Sequence, residues 1–280
     1  MNKNILLLTI SFIYSLSLSS QVINTSNVNY KSFDDGTTYF IQSENTELNS
    51  AIESILEKYW TINNFQMVTE SQVPSEPNEK SFYLGFFTYN FSREAGRTGA
   101  LDMDYSVTQL ILFKALSESK KDKRKPIETL ATVELNEITP VDILQSIQIL
   151  QSQIKFVKKL DTKKRLDFKE LLSEICEQRK IKIKDKTLYL NEYQLSPRLG
   201  SKEDVEKVYS LPFEIKSKEE IEEAILNQEP NIVYAKFVRL RTLHFLVIID
   251  AENSDILYGK VSTGFTQNMV GPRFLKDISK

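Results

Sequence analysis

The chain is poor in the residues that most often carry chemistry: one Cys, one His and one Trp among 280. A single Cys excludes an internal disulfide framework, and one Cys with one His cannot build a zinc site of the usual Cys/His types. Only 8 Gly and 8 Pro, with 41% hydrophobic and 26% charged residues, exclude a collagen-like, low-complexity or disordered chain. An excess of one charge is missing too. Lys plus Arg number 36 against 38 Asp plus Glu, and removing residues 1–20 takes away only Lys3, leaving 35 minus 38, or −3. That balance excludes a strongly basic nucleic-acid binder, so nucleic acid is not an expected partner. After the first 20 residues no apolar run reaches the ~18 residues of a membrane span, and no transmembrane segment is expected in the mature chain.

What is present begins with an address. Residues 1–20 read MNKNILLLTISFIYSLSLSS, with Lys3 as a short positive region and an apolar stretch over 5–18. Ser17 and Ser19 are small residues at −3 and −1 of a cut before Ser20, and a cut before Gln21 fits nearly as well. This is the pattern of a cleavable signal peptide, which predicts an exported protein, periplasmic or extracellular. The only Cys is Cys176, far from the cut, so a bacterial lipoprotein is excluded.

The mature chain reads as α+β in two domains, 21–160 and 161–280, each expected to be an antiparallel sheet with helices packed on it. In the first, Leu48, Ala51, Ile52, Ile55, Leu56 and Tyr59 follow steps of three and four, one face of a helix capped by Asn45 or Thr46. Residues 39–42, 65–69, 81–91, 101–113 and 127–135 read as strands, the last two by clear alternation. Thr139-Pro140-Val141-Asp142 then opens a long helix striped by Ile143, Ile147, Leu150, Ile154 and Val157. The charged run 158–164 marks the boundary.

The second domain starts with a helix striped by Phe168, Leu171, Leu172, Ile175 and Cys176. Extended pieces follow at 181–183 and 187–190, with a helical turn within 201–209. Ser217 and Glu220 form a capping box, and strands at 232–240, 243–250 and 255–261 form a meander. Both halves run helix first and strands after, an order that leaves a diverged duplication open.

The stretch ELNSAIESILEKYWTINNFQMVTESQ, residues 47–72, resembles exported proteins of Bacteroidota that have no assigned activity. There a helix ending in Tyr-Trp leads into an F-x-M/F-V/I strand. IIDAENSDILYG resembles the final hairpin of those proteins, except that Ser254-Asp255 stands where an Asp-Ala-x-x-Gly turn has its Gly. The first half is also similar to the small α/β domain at the N-terminus of TolB-type periplasmic proteins. These resemblances imply an envelope protein and carry no catalytic residue across.

Each candidate site residue also admits a plainer role. His244 lies on a strand face with Leu246 and Ile248, which suits sheet packing better than a triad. Cys176 lies on an apolar stripe, where a thiol behaves as a small hydrophobe. Asp102 and Asp104 share one strand side with Ser106 and Thr108, which suits a solvated face; converging in a pocket, they would instead serve a carboxylate-dependent hydrolase of the envelope, the alternative reading. Asp250, Glu252, Asn253 and Asp255 crowd one turn but lack the Gly and closing Glu of an EF-hand. Gly96 and Gly99 are followed by no GK[ST], and Lys120, Lys121, Lys123, Arg124 and Lys125 read as a solvated hairpin tip.

The most informative surface feature is aromatic. Tyr83, Phe87, Tyr89 and Phe91 alternate onto one face of a strand whose other face carries Phe82, Leu84 and Phe86. A strand apolar on both faces needs cover on both, from its own chain or from a partner. The expectation is a non-enzymatic exported protein, without metal or cofactor, that binds an envelope protein or a glycan through those four aromatics.

Overall fold

The computed structural model describes residue 30 and residues 32–73, 78–93, 103–115, 127–135, 138–160, 168–240, 243–262 and 269–280. At 90–93, 103–105, 107, 115, 127, 168, 169, 238–240, 243, 244 and 262 the description covers the backbone alone. The expected signal peptide, Asp102, the glycine connector, the basic tip and residues 161–164 of the boundary lie outside it. The chain divides into two compact units, Met1–Arg165 and Leu166–Lys280.

In the first unit, β1 (Thr37–Ile41), α1 (Thr46–Tyr59), β2 (Asn64–Val68), β3 (Ser81–Arg93), β4 (Met103–Ala115), β5 (Ile127–Leu135) and α2 (Pro140–Lys159) follow in order. The sheet runs β2-β1-β3-β4-β5. The α+β class holds, but the expectation of wholly antiparallel sheets does not. β1 is parallel to both β2 and β3, and only β3, β4 and β5 alternate in sense. Alternation in sequence reports which side chains face the core and is silent on strand sense, which the crossover between strands decides.

Local chemistry sets the helix ends. The Asn45 side chain accepts the Leu48 N–H at 3.0 Å, and Ile52 and Leu56 face inward. Trp60 closes α1 with its N–H on the Leu56 carbonyl. Its indole N–H donates to Asn63 Oδ1 at 2.9 Å, the same oxygen that receives the Thr38 hydroxyl at 3.0 Å. Asn63 Nδ2 in turn donates to the Phe33 carbonyl, so one amide ties α1, β1 and the entry segment together.

Thr139 caps α2 through the Asp142 N–H, with Pro140 in the first turn. The expected amphipathic stripe is an understatement: Gln145, Gln148, Gln151 and Gln153 are buried along with the Ile and Leu positions. Gln151 shows why a polar residue belongs there. Its amide accepts the Thr61 N–H at 2.7 Å and donates to the Tyr59 carbonyl at 2.8 Å, satisfying backbone freed at the end of α1.

The second unit runs α3 (Phe168–Arg179), β6 (Thr187–Asn191), α4 (Lys202–Glu206), β7 (Phe213–Lys216), α5 (Lys218–Leu226), β8 (Ile232–Leu240), β9 (Leu243–Asp250), β10 (Ile256–Ser262) and α6 (Pro272–Ile278). Its sheet order is β10-β9-β8-β6-β7, with β6 parallel to β7 and β8 and the rest antiparallel. The Ser217/Glu220 capping box forms as expected. α5 ends with Gln228 at φ 51°, its N–H on the Ile225 carbonyl and that of Glu229 on Ala224, a Schellman closure. The segment expected to be extended at 181–183 is instead a 3-10 helix, Lys180–Asp185, with Ile183 buried and Ile181 exposed. Strand β7 and helix α6 had no signal in the periodicity, being only four and seven residues long.

One sheet face buries Leu188, Leu190, Val233, Leu246 and Ile248 against Leu199, Val205, Tyr209 and, from α6, Leu275 and Ile278. On the other face α3 lies directly on β10. A Cβ added to Gly259 would sit 2.6 Å from Leu172 and 2.9 Å from Val247.

Two substitutions test these contacts. Gln151→Ala is expected to cost about 1–3 kcal/mol by stranding Thr61 N–H and the Tyr59 carbonyl, read from the chemical-denaturation midpoint. Gly259→Ala is expected to cost about 1–3 kcal/mol through overpacking under α3, read as a lower melting temperature of the second unit; an unchanged transition would contradict the close approach.

Candidate binding surface

Strand β3 is apolar on both sides, and its neighbours decide what each side becomes. Phe82 and Leu84 are fully buried on the side where Thr38 and Phe40 of β1 also point. There Phe33 meets Phe82 edge-on at 4.7 Å, and Phe40 meets Phe86 at 5.9 Å. Thr38 reaches Asn63 at the end of α1, which marks this as the helix-bearing face.

The opposite face holds a second, smaller apolar cluster built from Tyr83, Ile111 and Phe113, with Tyr39, Ile41, Val73, Phe87 and Tyr89 packed against it. Tyr83 stacks on Tyr39 with ring centroids 5.8 Å apart and on Phe113 at 5.4 Å; Phe87 meets Phe113 edge-on at 6.0 Å. Such pairs add about 0.5–1.5 kcal/mol each beyond area burial. The register produces this row: Tyr39 pairs with Tyr83 in the parallel ladder, and Tyr83 with Phe113 in the antiparallel one. Gly85 leaves the strand backbone bare beside Phe87, whose ring would lie 3.3 Å from a Cβ there. Among the described residues, Val73 is the one member of this cluster from outside the sheet.

The four aromatics expected to form the site therefore divide. Tyr83 is 1% exposed and is the cluster's centre rather than its surface. Phe87 and Tyr89 are half-buried and rim it. Phe91 pairs through its backbone with Tyr105, and its side chain lies outside the described residues. Sequence reasoning missed Tyr39, Ile41 and Phe113, because nothing local announces that β1 lies beside β3. Burial pushes the Tyr83 phenol above its ordinary range and the Tyr89 phenol up to about 12.

The remaining candidates take structural roles or fall outside. The Cys176 thiol donates to the Gly259 carbonyl at 3.5 Å and accepts its N–H at 3.3 Å. Burial pushes its pKa up and so disfavours the thiolate, an effect partly offset by the hydrogen bond from the Gly259 backbone. The acids of the 250–255 turn are matched by cations. Lys186 reaches Asp250 at 3.0 Å and Glu252 at 4.0 Å, and Arg179 reaches Asp255 at 3.2 Å. Ser254 holds φ 54°, the left-handed backbone that a glycine at this point of the turn adopts without strain. Among the described residues no group of three or more His, Cys, Asp or Glu is placed to hold a metal ion. His244 sits opposite Arg239 and Ser262 in the ladders, and Asp104 opposite Ser92, with their side chains outside the description.

No protein-family model, curated protein or solved structure matches the chain.

The buried phenol sets a sign for pH dependence. Between the unfolded tyrosine value of about 10 and the folded value of about 12, only the unfolded chain has lost the Tyr89 proton. Stability supported by neutral Tyr89 is then complete below about pH 10 and declines as pH rises through 12. Tyr89→Phe is expected to shallow that alkaline decline and to remove one late-ionising phenol from the ultraviolet absorbance titration. Loss of the phenol from the part of the titration near pH 10 instead would place Tyr89 in open solvent.

Proposed function

We propose that this protein is an exported, non-enzymatic component of a bacterial cell envelope that binds a protein or glycan partner through the aromatic face of its first unit. The stacked row Tyr39–Tyr83–Phe113, rimmed by Phe87 and Tyr89, carries the reading. Rings fixed on neighbouring strands lose little conformational entropy on binding, and they offer flat apolar area with π faces to a sugar ring or an apolar side chain. Tyr83 supports the platform from beneath, and the half-buried Phe87 and Tyr89 make the contact. The signal-peptide pattern of residues 1–20 supports export. Among the described residues no helix is long and apolar enough to cross a membrane.

The test compares the mature full chain with Phe87→Asp and Tyr89→Asp. Pull-down from envelope extracts is expected to recover a stoichiometric partner with the native chain and to lose it, at least tenfold, with either variant. Circular dichroism and the melting transition establish that the variants are folded. Folded variants that retain the partner would overturn the proposed surface. N-terminal sequencing of protein from the envelope fraction is expected to begin at Ser20 or Gln21; an intact Met1 in the cytosol would overturn export.

A further inference from the structure

The two sheets are the same design written twice. With β6 to β10 laid on β1 to β5, the order β2-β1-β3-β4-β5 becomes β7-β6-β8-β9-β10, the second sheet read from its other edge. Each pairing keeps its sense: the first strand is parallel to the second and third, and the third, fourth and fifth alternate. Order and sense alone are weak grounds, because crossover rules favour few arrangements. The registers are stronger.

Tyr39 pairs with Tyr83 in the first unit, and Tyr189 with Tyr234 in the second. Counting from those pairs in each ladder, Thr37 falls on Thr187. Phe86, opposite Leu110, falls on Phe237, opposite Leu246. Across the next ladder, Thr38 opposite Phe65 falls on Leu188 opposite Phe213. The burial pattern of β1 and β6 is identical, half-buried and buried residues alternating from a half-buried Thr.

The irregularity coincides as well. In the first unit Phe113 pairs with Thr129 and Leu112 with Ala131, so Leu130 is the extra residue of a bulge. In the second, Ile249 pairs with Ile256 and Ile248 with Tyr258, so Leu257 is extra. The same count puts Phe113 on Ile249 and Leu130 on Leu257, and both leucines are fully buried. Nothing in the crossover rules demands a bulge, still less the same residue at the same step of the same ladder.

We infer that the two units are copies of one ancestral βαβ-βββ-α unit that duplicated in tandem. The copies diverged in their connections. From the second strand to the third, the second copy uses α5, with Ile221, Ala224 and Ile225 buried. The first copy has there a 3-10 turn, Glu70–Gln72, followed by Val73, which packs under the aromatic cluster. The aromatic face thus lies beside a connection in which the copies differ, and the inference stands whether or not that face binds a partner.

The test is made in the full chain. Residues 109–113 (QLILF) are exchanged with 245–249 (FLVII), and a control places 110–114 (LILFK) at 245–249, one residue out of step. The in-register exchange is expected to keep both units folded with melting shifts of roughly 10 °C or less. The slipped control turns every side chain to the wrong face and is expected to lose the cooperative transition of the second unit. Equal tolerance or equal failure of the two would overturn structural equivalence. Ancestry is read from homologous chains: their halves are expected to align with Tyr39 on Tyr189, Tyr83 on Tyr234 and Leu130 on Leu257. A consistent alignment at any other offset would overturn the duplication.

Discussion

Each sheet depends on a five-residue strand, β1 or β6, hydrogen-bonded on both sides to parallel neighbours. A parallel neighbour cannot be reached by a hairpin, so each must be joined by a crossover over the sheet. Because the two neighbours lie on opposite sides of the strand, right-handed crossovers to and from the edge place the connections on opposite faces. In the first unit the outgoing connection is α1. The return, through a short 3-10 turn and Val73, is the slighter of the two, and it meets the aromatic face. The inequality of the two covers follows from connection length.

That inequality explains the composition of β3. Here the helix side is filled by Phe82 and Leu84, while the other carries rings that cover one another by stacking. Aromatic stacking lets a face bury its centre, Tyr83 and Ile111, and leave its rim half open at Phe87 and Tyr89. The second unit solves the same problem with bulk, a full helix in place of the turn and another, α3, pressed onto Gly259.

Much of the fold was legible where a signal is local. Asn45, Thr139 and Ser217 cap the helices they were expected to open, because a side-chain oxygen reaching an orphan N–H needs only three residues of context. The alternation at 127–135 and the meander segment at 232–240 mark strands of those bounds. Short elements escaped for a physical reason: β7, of four residues, and α6, of seven, complete no more than about two periods of their pattern, too few to stand out. Alternating Lys and Ile at 180–184 misled: a strand would set Ile181 and Ile183 on one face, whereas the 3-10 helix turns residues two apart to different sides and buries Ile183 while exposing Ile181. In the binding surface, Phe87 and Tyr89 were legible from β3 alone, whereas Tyr39 and Phe113 were not, because register between distant strands leaves no trace in either.

The sequence by itself determined the α+β class, the helix caps and which side of each strand is apolar, all consequences of spacing within one segment. It also determined the scarcity of Cys and His, which is a matter of composition. Only the tertiary structure decided that both sheets are mixed, that Tyr83 is a buried support while Phe87 and Tyr89 form a rim, and that the halves share order, register and bulge. Those facts concern which distant strands meet and in what phase. Phase is set by crossover handedness and by the mutual burial of side chains far apart in the chain.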